Sequence, residues 1–135
     1  MSNLTIYLAR LIGLLALILD GAFLVSGNAM IKAAVAEDSV MLIYAIQSLA
    51  IGLAIILGHN VWFGGALPVV VTLVGWLIFA KGLLLLLVPH EFLLGLLERV
   101  QYGEHYTLSL LPSLIIGLYL TYAGFTARPA DAKLK

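Results

Sequence analysis

The chain has no cysteine, few charges and only four prolines, and each shortage excludes something. Without cysteine there is no disulfide, no thiolate metal site and no thiol redox chemistry. Charged residues make up 10% of the 135 positions against 63% hydrophobic ones, with a mean hydropathy of +1.13, which excludes a water-soluble domain. Seven basic residues balance seven acidic ones without clustering, so there is no electrostatic footprint for nucleic acid. A Gly-x-Ser-x-Gly elbow, an HExxH helix and a phosphate-binding glycine-rich loop are all missing, so neither an enzyme nor a cofactor is expected.

What the chain does have is long apolar runs. About 20 apolar residues in a helix cross a bilayer, and four stretches qualify: 4–27, 39–58, 65–88 and 107–125. The first lacks a basic leader and a small-residue cleavage site, so it reads as a retained helix rather than a signal peptide. Backbone groups in lipid must be satisfied internally, by helices or a closed barrel. Unbroken apolar runs lack the alternation of barrel strands. The expected fold is therefore all-α: a four-helix transmembrane bundle filling residues 1–126, followed by a short polar tail, 127–135.

Four spans put both termini on one side. That side carries Arg10, Arg128, Lys133 and Lys135, and the other carries Lys32 and Arg99, a bias that places the termini in the cytoplasm. Tyrosines and Trp62 fall near both ends of the spans, as an interfacial aromatic belt does. Between the third and fourth spans, Phe92, Leu93, Leu96, Leu97 and Val100 recur at helical spacing. Segment 90–104 thus reads as a short helix lying in the outer interface, with 29–37 a weaker counterpart.

The sequence also repeats itself. Ser48-Leu49-Ala50-Ile51-Gly52-Leu53 matches Ser113-Leu114-Ile115-Ile116-Gly117-Leu118, and Leu11-Ile12-Gly13 matches Leu73-Val74-Gly75. Two similar helical hairpins pointing the same way follow, as in parallel-repeat transporters. Small residues one turn apart, Ser48 with Gly52 and Ser113 with Gly117, suit close helix packing. A one-residue adjustment then aligns Asp20-Gly21 with Lys81-Gly82. Each of these two charges lies sixteen residues into its apolar stretch. An unpaired charge in hydrocarbon costs several kcal/mol. Opposite charges at one depth are therefore expected to pair inside the bundle, either to fix helix register or to form a polar or ion-coupled site.

His59-Asn60-Val61-Trp62 closes the second span. His59 and Asn60 suit a helix C-terminus, where carbonyls lack partners, and Trp62 suits an interfacial anchor. No metal site is expected. His90 and His105 with Glu91 and Glu104 supply ligand types on the outer face, but at no diagnostic spacing.

His59-Asn60-Val61-Trp62, Val71-Thr72-Leu73-Val74-Gly75-Trp76, Lys81-Gly82 and Pro89 together resemble a pattern in small, uncharacterised four-helix bacterial membrane proteins. The layout is similar in outline to the DoxX-like family. It also resembles small multidrug-resistance exporters, whose first helix carries an acid where Asp20 stands, though without an opposing lysine. The resemblance implies a bacterial cytoplasmic-membrane protein and brings no activity with it.

The expected function is that of a non-enzymatic membrane protein. The chain would serve as a structural or accessory subunit of a larger assembly, with the bilayer and a membrane-protein partner or further copies as neighbours. The alternative is a small transporter or ion-coupled carrier using Asp20 and Lys81. A membrane redox component comes third.

Overall fold

The structure, a computed structural model, describes residues 1–27, 29, 37–89, 91–92, 94–95, 99 and 106–128. Within them the chain is all-helical: α1 (Asn3–Ser26), α2 (Asp38–Gly58), α3 (Ala66–Leu87) and α4 (Tyr106–Thr126). α1, α2 and α3 are long and apolar enough to cross a membrane, and α4 contributes a shorter apolar helix over Leu110–Thr126. Segments 29–37 and 90–104 lie largely outside the described residues. So do His90, Glu104 and His105, and the tail beyond Arg128.

Local chemistry sets the helix ends. Ser2 Oγ accepts the Thr5 N–H at 3.1 Å, satisfying one of the orphan donors at the start of α1. Gly27, at φ 59°, returns its N–H to Phe23 O and ends the helix in a left-handed conformation that favours glycine. Gly64 and Gly65, at φ 91° and 121°, turn the chain between α2 and α3. Pro68 sits in the first turn of α3, where its missing N–H costs nothing.

α2 packs along α3, and α1 packs along α4; the two pairs meet through lighter α1–α3 and α3–α4 contacts. Consecutive α1 and α2 touch at most weakly among the described residues. A square arrangement with α1 and α3 on a diagonal is therefore not what forms: these two helices adjoin. Ala9 and Val71, both fully buried, lie in the core with Leu67, Ile55 and Leu120. That core occupies the half of the bundle nearer the chain termini.

Glycines set the closeness within each pair. A Cβ on Gly52 would lie 2.5 Å from Phe79 N, and one on Gly82 would lie 2.7 Å from Leu49 N, so α2 and α3 touch backbone to side chain and backbone to backbone. A Cβ on Gly13 would lie 2.6 Å from Thr121 N, and Gly117 faces Ala16 and Leu17, which does the same for α1 and α4. This packing suits lipid, where helices associate by contact rather than by exclusion of water. Ser48 is half-buried, but Ser113 is exposed, so the close approach in α4 rests on Gly117 and Gly124 rather than on a serine–glycine pair.

The rest of the surface is apolar. Val25 is 90% exposed and Leu57 78%, and exposed leucines, isoleucines and valines run the length of all four helices. Such a surface on a water-soluble monomer would aggregate. On helices of this length it is the face presented to lipid or to other membrane helices.

Candidate functional site

Polar groups gather in two places, one at the terminus-bearing end and one deep in α1. At the first, His59 follows α2 as its C-cap residue, with its N–H on Ile55 O, and its ring is 2% exposed. Nε2 lies 2.8 Å from Thr5 Oγ1 on α1, and Nδ1 lies 3.3 Å from Thr72 Oγ1 on α3. Thr72 Oγ1 also accepts the Val61 N–H at 3.0 Å and donates towards Val61 O at 3.0 Å. His59 O, at 3.3 Å, is a second acceptor for the single hydroxyl proton, and Nδ1 faces the same oxygen. Nε2 is hydrogen-bonded to Thr5, whose oxygen also lies 2.7 Å from Ser2 Oγ. One imidazole therefore joins α1 to the α2–α3 pair with both ring nitrogens used.

Local spacing points to the cap but not to this bridge. Thr5 lies 54 residues from His59, and Thr72 lies 13 away across the turn. Asn60 and Trp62 stay at the surface, where Trp62 Nε1 donates to Asn60 Oδ1 at 2.7 Å. Among the described residues no group of three or more potential ligands is placed to hold a metal ion.

The second place is Asp20. It is 4% exposed, and its Oδ2 is buried without a hydrogen-bond partner. Lys81, by contrast, is exposed on the outward side of α3. The expected Asp20–Lys81 contact across the interior is not made within the chain. The reason is helical phase. The buried stripe Thr5, Ile6, Ala9, Gly13, Asp20 of α1 has the spacing of Leu67, Pro68, Val71, Gly75, Gly82 in α3, at a constant 62-residue offset. Both helices run unbroken through these positions, so nothing absorbs a one-residue adjustment. Gly82, not Lys81, holds the place that Asp20 holds in α1. One residue turns a helix by about 100°, which carries Lys81 out of the interior.

Thr121 Oγ1 is also buried and unpartnered, beside Gly13 in the α1–α4 contact. Nearer the terminus-bearing end of that contact, Arg10 Nε donates to Gly124 O at 2.9 Å, and its guanidinium lies 4.9 Å above the Phe125 ring.

No family model matches the chain, and no curated protein or solved structure matches it either.

Proposed function

We propose that this chain is a non-enzymatic subunit of a larger membrane assembly, in a bacterial cytoplasmic membrane with both termini in the cytoplasm. The observation that carries this is the outward exposure of Lys81 on an otherwise apolar face. Leu77 and Leu84, one turn away on either side, are exposed as well. Lys81 sits six residues before the end of α3, about 9 Å of helix rise. Its Cα–Cβ bond tilts towards the helix N-terminus, which is towards the middle of the span. Reaching the nearer surface runs against that tilt, so snorkelling is poorly served. A carboxylate or polar group on a neighbouring helix at the same depth relieves the cost of a cation in lipid. The matching buried stripes of α1 and α3 support two parallel-related halves, with Lys81 outside the symmetric interior.

Mass spectrometry of the chain purified in mild detergent from its own membrane tests this. The wild-type chain is expected with a companion at fixed stoichiometry, and Lys81→Leu should lose that companion by tenfold or more while keeping its helical content. A wild-type chain that always travels alone contradicts the proposal.

A carrier is the second reading, favoured by the buried, unpartnered oxygen of Asp20. Ionisable groups inside spans often mark ion or substrate paths. It requires saturable flux in liposomes holding this chain alone, abolished by Asp20→Asn.

A further inference from the structure

We propose that Arg10, with Arg128, forms a binding site for the phosphate of an anionic phospholipid at the terminus-bearing end of the α1–α4 contact. Arg10 is half-buried and held at two points, Nε on Gly124 O and the guanidinium face over Phe125. A Cβ on Gly124 would come within 3.1 Å of Arg10 Cγ, so the glycine leaves the space through which the side chain runs. These contacts use one of the five guanidinium donors. The two Nη groups have no acceptor among the described residues, yet they are not among the buried, unpartnered atoms. Among the described residues, then, nothing pairs with them.

No described carboxylate lies at this end of the bundle. The described carboxylates, Asp20, Glu37, Asp38 and Glu91, all lie towards the opposite end of the bundle, whereas the exposed Arg128 lies just beyond the end of α4 at this one. Among the described residues nothing supplies the counter-charge. Arg10 points to the interface by construction, because side chains of α1 tilt towards its N-terminus. Gly124, which holds it, is two residues from the end of α4. The guanidinium thus sits at headgroup level, while exposed Tyr7 and Leu14 flank it on α1 and exposed Phe125 on α4. A planar fork of free N–H groups above an apolar wall matches a phosphate that carries acyl chains. A free phosphate has no use for that wall.

The test is native mass spectrometry of the whole chain released from nanodiscs of mixed phosphatidylglycerol and phosphatidylcholine. The wild type is expected to retain phosphatidylglycerol about fivefold over phosphatidylcholine, the scale of one basic residue near an anionic surface. Arg10→Gln should bring the ratio close to one, and Arg99→Gln, at an exposed arginine with no part in this site, should leave it unchanged. Arg10→Lys keeps the charge and removes the fork, so it gives an intermediate ratio and decides the matter if the glutamine variant does not fold. Equal retention of both lipids by the wild type overturns the proposal, and so does an equal loss in Arg99→Gln. Displacement of the lipid by millimolar inorganic phosphate alone would reassign the site to free phosphate, and likewise overturns it.

Discussion

Gly52→Ala is expected to destabilise the bundle by about 1–3 kcal/mol, the usual cost of overpacking a filled interior. The added methyl would stand 2.5 Å from Phe79 N and 2.6 Å from Phe79 Cα. Both are backbone atoms, so no side-chain rotation relieves the clash and α2 must move away from α3. In lipid this separation is costly, because close packing is the main attraction between helices. Gly21→Ala is the matched control. A Cβ there meets nothing within 4 Å, and replacing a mid-helix glycine by alanine is favourable by up to about 1 kcal/mol. Unfolding in mixed micelles with increasing dodecyl sulfate should separate the two variants. Equal stability of Gly52→Ala and wild type would show that α2 and α3 are not packed at this point.

His59→Ala should cost about 2–4 kcal/mol, combining a cavity with the loss of two buried hydrogen-bonded contacts. The imidazole fills interior space between α1 and α3 and is nearly sealed from outside. Its removal leaves Thr5 with Ser2 and Thr72 with Val61, so neither hydroxyl is stranded. The α1–α4 pair, however, loses its polar link to the α2–α3 pair. Thr5→Val removes only the 2.8 Å contact and should cost about 1 kcal/mol. Disulfide trapping between cysteines placed at the α1 and α3 starts reports the loosening directly: cross-linking should fall in His59→Ala and hold in Asn60→Ala, whose side chain is at the surface. Unchanged trapping and stability in His59→Ala would reduce the ring to a simple helix cap.

Parts of this architecture were legible in the residue order, and the missing parts share a physical cause. Unbroken apolar runs at bilayer length identify helices, because no other backbone arrangement satisfies itself over such a stretch. Small residues one turn apart point to close packing, and Gly52 and Gly117 do lie in helix contacts. Which helices meet is a different matter. α1 pairs with α4 rather than with its sequence neighbour α2, and nothing local encodes that choice. Thr5 and Thr72 converge on His59 for the same reason, since their meeting depends on how α1 and α3 adjoin.

Lys81 shows a sharper limit. Similarity of short apolar words tolerates a one-residue slip, whereas a continuous helix does not. Sliding Asp20-Gly21 onto Lys81-Gly82 keeps depth nearly intact, because one residue is only about 1.5 Å of rise. The same slip turns the side chain by about 100° and exchanges interior for exterior. Depth can thus be read from position along a span, but facing needs the phase of the whole stripe.

The separation of Asp20 from Lys81 is the point on which the account turns, and a double-mutant cycle tests it most directly. Asp20→Leu, Lys81→Leu and the double variant would be unfolded in lipid micelles and their stabilities compared. Groups that do not meet couple by less than about 0.5 kcal/mol, whereas contacting charges couple by about 0.5–3 kcal/mol. The expected coupling is below 0.5 kcal/mol, with Asp20→Leu alone neutral or stabilising because it removes a buried acid whose Oδ2 has no hydrogen-bond partner. A coupling above about 1 kcal/mol, with each single change worse than the double, would place the two charges in contact and contradict an outward-facing Lys81.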